Sequence, residues 1–170
     1  RNLQADVLEQ LGYQSESSTF RNAYLMGAQE LRKGPPPPTP THVRARSMIR
    51  AMTIEQVFDT LSVRVISENV GGLSVAVNWT FTDMVGTPDH KWVIGLSNRT
   101  MYSIRGRHDD GAVATVMISR ALLLEVIAQV TTFVDEMAAG RAVIDGDASA
   151  LLTIFGNLDT FATGFAIVEP

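Results

Sequence analysis

The chain has 170 residues, 45% of them hydrophobic, with a formal net charge of −4 and no cysteine. Such a length supports one domain, or one plus an appendage, and enough apolar material for a core. The charge balance gives no field that would gather nucleic acid, and the lack of cysteine excludes disulfides, thiol catalysis and zinc sites built on sulfur.

The first element expected is helical. Leu3, Val7, Leu8 and Leu11 form an i, i+4, i+5, i+8 apolar stripe, which Gly12 is expected to end. A second helical pattern runs from about Ser18 to Arg32, with Phe20, Tyr24, Ala28 and Leu31 on one face and Ser18 placed to cap it. Arg32 and Lys33 then suit the helix dipole, and Gly34 stands where a C-terminal glycine is expected. Two short helices cannot hide such stripes alone, so they are expected to pack on something else.

Residues 35–43 read as a proline-rich linker, because consecutive prolines favour an extended, semi-rigid spacer. A ligand for a proline-reading partner is the alternative. The one basic run, Arg44, Arg46 and Arg50, sits beside this linker and reads as a solvated connector. Thr53 and Gln56 then make a T-x-x-Q capping box ahead of Ile54, Val57, Phe58, Leu61 and Val65, which recur at helical spacing.

The stretch LSVAVNWTFTD, Leu73 to Asp83, organises the rest of the chain. Leu73, Val75, Val77, Trp79 and Phe81 fall on one side of a strand, and Ser74, Ala76, Asn78, Thr80 and Thr82 on the other. Strict alternation predicts a sheet with one face covered. Strands are also expected at Lys91–Ser97, Thr100–Arg105 and Ala112–Ile118, with a short one at Ala142–Ile144. Asn98-Arg99 reads as a tight turn, and His108 to Gly111 as a hairpin turn. Ser119 and Asp147 are placed to cap helices bearing Leu122, Leu123, Val126 and Ile127, and then Leu151, Leu152, Ile154 and Phe155. Between them a short helix carries Phe133, Val134 and Met137, and Gly140 ends it. The fold class expected is α+β, a mostly antiparallel sheet of about five strands with helices on one face.

Motifs for chemistry are sparse. His42, His90 and His108 show no ligand spacing such as H-x-H or H-E-x-x-H, and no G-x-S-x-G, phosphate loop or dinucleotide fingerprint occurs. Asp109 with Asp110, and Asp145 with Asp147, read as turn and capping carboxylates. Asn78 and Asn98 match the glycosylation pattern by chance, the first lying mid-strand. No run approaches the roughly 18 apolar residues of a membrane span, and no signal peptide is seen. A start at Arg1 leads to the expectation of a piece of a longer polypeptide or a processed product; the compartment stays open between bacterial cytoplasm and periplasm.

Apolar material of adaptable shape is plentiful: Met48, Met52, Met84, Met101, Met117 and Met137, with seven phenylalanines and two tryptophans. An ordinary core is one reading, and a cavity for a lipid-like ligand between sheet and helices the other. Periodicity does not separate them.

Several segments carry a resemblance. LEQLGYQSESSTFRNAYLMGAQELR, Leu8 to Arg32, resembles the end of the dimerisation domain of the alkyl sulfatases of the metallo-β-lactamase superfamily. Phe58-Asp59 through Asn78-Trp79 and Asp83, the Gly146-Asp147 pair, and the closing Phe165-Ala-Ile-Val-Glu-Pro170 resemble their C-terminal domain. The resemblance implies a sterol-carrier-protein fold, a five-stranded sheet with helices over one face and an apolar channel between. It also implies a domain that takes the aliphatic tail of the substrate and a homodimer formed through the N-terminal helices. The catalytic zinc centre would then belong to a metallo-β-lactamase-like domain or subunit that this chain lacks. No catalytic residue, no metal ligand and no cofactor is expected here, and the chain alone is expected to be inactive.

Residues 1–34 are therefore assigned to the tail of a dimerisation region, and 44–170 to a domain binding an alkyl chain or similar lipid-like ligand. Candidate cavity residues are Phe58, Leu61, Val65, Trp79, Phe81, Leu123, Ile127, Phe155 and Phe161. Two alternatives stand beside this: a free-standing lipid carrier, and a structural module with a filled core.

Overall fold

The computed structural model describes residues 1–37, 41–160 and 165–168, with side chains given for all of these except 41–45. The chain divides into two compact units, Arg1–Thr41 with Phe161–Pro170, and His42–Thr160.

In the first unit, α1 (Asn2–Gln14) and α2 (Ser18–Lys33) form a helical hairpin. Gly12 does not end α1, contrary to expectation; it lies inside the helix, buried. Glycine costs a helix interior about 1 kcal/mol relative to alanine. Here a Cβ would lie 2.7 Å from Leu25 Cδ2, so the missing side chain is what lets the helices approach. Gly27 does the same beneath Leu8 and Val168. The cap of α2 is Ser17, not Ser18, and its hydroxyl bonds Thr19 Oγ1 (2.9 Å) rather than capping a backbone amide, whereas Gly34 takes the expected positive φ of 85°. Arg32 ties the pair together through Asp6 (2.6 Å) and Glu9 (2.8 Å) of α1.

The inward face of the hairpin is small: Ala5, Ala28 and Leu31, with Leu8 and Val168 packed on them. Leu3, Val7 and Leu11 point to solvent, 78%, 52% and 41% exposed. The stripe read in the sequence is thus real, but most of it faces outward. Residues 165–168 pack on this hairpin, where the buried Glu30 carboxylate accepts from the Ile167 (2.6 Å) and Val168 (3.1 Å) amides.

The second unit opens with α3 (Thr41–Ala51), which starts within the stretch read as linker. Helix α4 (Ile54–Ser62) carries the full capping box: Thr53 Oγ1 accepts from the Gln56 amide, and Gln56 Oε1 from the Thr53 amide. Ile54, Val57, Phe58 and Leu61 are buried as the spacing requires. Val65 is not on this helix. It lies beyond the C-cap, in a bridge to Leu158.

Strands β1 (Val75–Phe81), β2 (Lys91–Ser97), β3 (Thr100–Arg105), β4 (Ala114–Ile118) and β5 (Val143–Gly146) form one sheet in the order β3-β2-β1-β4-β5. The alternating strand is its centre. Asn98 and Arg99, at φ 52° and 67°, make the tight turn between β2 and β3, the paired positive angles that match hairpin twist. Helices α5 (Arg120–Ile127), α6 (Phe133–Ala138) and α7 (Ser149–Phe155) follow, with Ser119 Oγ and Thr132 Oγ1 capping the first two. Asp147 accepts from the Ser149 amide at 2.9 Å, one residue outside the cap position expected of it. The Ser149 hydroxyl and then its amide hold the Asp147 carboxyl below the usual carboxylate value.

The sheet is mixed, because β4 pairs parallel to β1 while the other three pairings are antiparallel. His108 to Gly111 is therefore not a hairpin turn, contrary to expectation. Strand β4 lies across the sheet from β3, so the chain of residues 106–113 must cross the face that carries Asn78 and Thr80. Asn78 Oδ1 accepts from the Asp109 amide (2.9 Å), Asn78 Nδ2 donates to the Asp109 carbonyl (3.0 Å), and the Val113 amide reaches Ala76 O at 3.0 Å. This crossing gives the sheet a partial second cover, so Val93, on the same face as Asn78, is fully buried.

Candidate functional site

The layer between sheet and helices is built from residues whose faces the alternation sets. Strand β1 contributes Val77, Trp79 and Phe81, β2 contributes Trp92, Ile94 and Leu96, and β4 contributes Val116 and Ile118. Helices α4, α5 and α7 close over them with Phe58, Leu61, Leu123, Leu151 and Ile154 among others.

Aromatic rings form its middle. Phe58 of α4 meets Trp79 edge-on at 5.9 Å, Trp92 at 5.3 Å and Phe81 at 6.3 Å. Trp79 also touches Phe81 at 6.3 Å, Phe133 of α6 at 6.0 Å and Phe155 of α7 at 6.2 Å, and these last two rings meet at 6.1 Å. Four of these seven pairs, Phe58 with Trp79 and Trp92 and Trp79 with Phe133 and Phe155, are edge-to-face, a favoured arrangement for aromatic rings.

Of the residues proposed from sequence, Phe58, Leu61, Trp79, Phe81 and Leu123 are buried together here. Val65, Ile127 and Phe155 are half-buried at its margin. Phe161 lies outside the described residues. Sequence reasoning missed Trp92 and Phe133. The first was legible, because it alternates with Ile94 and Leu96 along β2; the second was visible only as one apolar residue in a short helix. The methionines do not share one surface: Met52, Met84 and Met101 join the core, whereas Met48, Met117 and Met137 are exposed.

Near Phe133 and Phe155 the surface is apolar too. Val130 is 45%, Val134 69% and Leu152 76% exposed. A surface concavity of about 380 Å³ is lined by Thr82, Ser119, Ala121, Leu122, Glu125 and Arg141, and none of the candidate residues contributes to it.

Two polar atoms inside the layer are orphaned. Among the described residues, Trp79 Nε1 and Trp92 Nε1 have no hydrogen-bond partner, though the side chains are 0% and 2% exposed. The two tryptophans are direct partners across β1 and β2, and opposed residues of an antiparallel pair share a face.

The described residues do not fit a zinc centre. No three His, Cys, Asp or Glu side chains converge among them. His90 Nδ1 donates to Phe81 O (3.0 Å) and His108 Nε2 to Trp79 O (3.2 Å), so those nitrogens present protons rather than lone pairs. The carboxylates read as turn residues do turn work: Asp109 Oδ1 accepts from the Gly111 amide at 2.9 Å.

Set against known proteins, two family models divide the chain: alkyl sulfatase dimerisation matches residues 1–34, and alkyl sulfatase C-terminal matches 43–170. Over the whole chain it is 36% identical to a linear primary-alkylsulfatase of Pseudomonas and to the alkyl/aryl-sulfatase BDS1 of Saccharomyces cerevisiae. It spans about 25% of the length of each. The solved structure of the stereoselective inverting sec-alkylsulfatase Pisa1 from Pseudomonas superposes on 99% of this chain, with a TM-score of 0.77 and 32% identity, using 26% of its own length. The chain therefore belongs to the alkyl sulfatase family, with the dimerisation region at its start and the C-terminal domain over the rest.

Proposed function

We propose that this chain is the non-catalytic C-terminal portion of an alkyl-sulfatase-type hydrolase, which receives the aliphatic tail of an alkyl sulfate or similar amphiphile and contributes to assembly. The observation that carries the reading is the apolar layer itself. A fully buried aromatic centre passes outward through half-buried Phe133 and Phe155 to exposed Val134 and Leu152. Each methylene taken into such a layer is worth about 0.8 kcal/mol, so a chain of eight to ten would bind from dilute solution after ordering costs. The outward stripe of Leu3, Val7 and Leu11 supports the assembly role, by pairing with a second copy's helices. Zinc and sulfate-ester cleavage belong, in this reading, to the metallo-β-lactamase-like domain of the longer enzyme.

A second reading has an observation of its own. The ring contacts of 5.3 to 6.3 Å around Phe58 and Trp79 are those of a filled core, which favours a structural module. Native mass spectrometry, followed by release of anything bound, separates the two. A co-purifying alkyl compound, or a melting shift with a dodecyl ligand below its micelle range, supports tail binding. An empty protein with no shift leaves the structural module.

A further inference from the structure

From the two orphaned indole N–H groups, and resting on the tail-binding reading above, we infer that the ligand enters with an uncharged oxygen leading, as a long-chain alcohol. A purely hydrocarbon occupant leaves both donors as unpaired as they are without it and gains nothing from them, whereas an oxygen acceptor relieves an unmet hydrogen bond. A hydroxyl brings two lone pairs and no charge. An ionised sulfate would bring acceptors as well, but a buried anion needs a buried cation. Among the described residues the only buried charged side chains are Glu30 and Glu136, both acidic. The sulfate end of an alkyl sulfate thus stays outside. The alcohol, which is what remains when water displaces sulfate from such an ester, is the species the interior accepts whole.

Geometry names the way in. Phe133 and Phe155 are the half-buried rings that touch Trp79, and they touch each other. They are the half-buried members of the ring cluster through which Trp79 would be reached from outside, since its other two ring contacts, Phe58 and Phe81, are buried.

The chain contains two tryptophans, so a proton–nitrogen correlation spectrum of the 170-residue protein shows two indole N–H peaks. Each is followed during separate titrations with 1-decanol, undecane and decyl sulfate, all below aggregation. Decanol and undecane have the same number of heavy atoms and differ in one oxygen. The expected result is a downfield shift of at least one indole peak with decanol alone, and binding about 10-fold tighter than undecane, equivalent to about 1.4 kcal/mol. Equal binding of decanol and undecane, with backbone shifts in β1, α6 and α7 but unmoved indole peaks, overturns the inference and leaves tail binding standing. Decyl sulfate moving the indole peaks as decanol does also overturns it. No shift of any peak with any of the three overturns both.

Discussion

Asn78 and Asp109 hold one another by two reciprocal hydrogen bonds, the side-chain amide of one reading the backbone amide and carbonyl of the other. They come from the central strand and from the chain that crosses over it. Asn78 is 8% exposed, so this pairing replaces water for the polar groups of both residues at once. It fixes the crossing that allows β4 to lie parallel to β1.

Asn78→Ala removes both bonds and leaves the Asp109 amide without its acceptor. A loss of about 2 kcal/mol is expected, read as a lower urea midpoint with unchanged slope. Asn78→Asp keeps an acceptor for the Asp109 amide but sets a buried carboxylate oxygen against the Asp109 carbonyl, so at pH 7 its midpoint should fall at or below that of Asn78→Ala.

Gly95 is a second fixed point on that face. A Cβ there would lie 2.5 Å from the Tyr102 ring and 2.6 Å from Val75 O. The ring can yield but the carbonyl belongs to the β1–β2 ladder. Gly95→Ala should destabilise the protein by about 1–3 kcal/mol, with amide exchange fastest along β1 and β2.

The base of α6 is pH-sensitive. Glu136 is 2% exposed and accepts from Arg141 Nε (2.6 Å), Arg141 Nη2 (2.9 Å) and Thr131 Oγ1 (2.5 Å). Arg141 first, then Thr131, holds its carboxyl below the usual glutamate value. A lowered folded-state value means stability that is present above the unfolded value and lost as pH falls through the folded one. The stability gap between the native protein and Glu136→Gln should therefore be constant from pH 7 to about pH 5 and shrink below about 4.5. Urea unfolding across that range measures it. A gap that widened on acidification would show the sign to be wrong.

Leu3, Val7 and Leu11 make few internal contacts to lose, since they face solvent. Changing all three to serine should leave the melting temperature within a few degrees. If the stripe assembles two copies, sedimentation velocity should show the native chain as a dimer and the variant as a monomer. Equal sedimentation of the two would remove the assembly role from this face.

Much of the fold is legible locally. Alternation in LSVAVNWTFTD placed Trp79 and Phe81 on the covered face, T-x-x-Q fixed where α4 starts, and Asn98-Arg99 marked its turn. Each rests on forces acting between residues no more than four apart, so the residues themselves carry the answer. The resemblance in Leu8–Arg32 likewise pointed to the family to which the chain belongs.

Only the tertiary structure decided the rest. The Asp110-Gly111 pair within the turn read as a hairpin serves a crossing, because strand order is set by pairing between residues far apart in the chain. The apolar stripe of α1 faces outward, because Gly12 and Gly27 let the small faces of the helices come closer than leucines would allow. Trp79 and Trp92 look like plain core in a hydrophobic pattern. That their N–H groups lie buried without acceptors among the described residues follows from what packs around each ring, a sum of long-range contacts that no local spacing encodes.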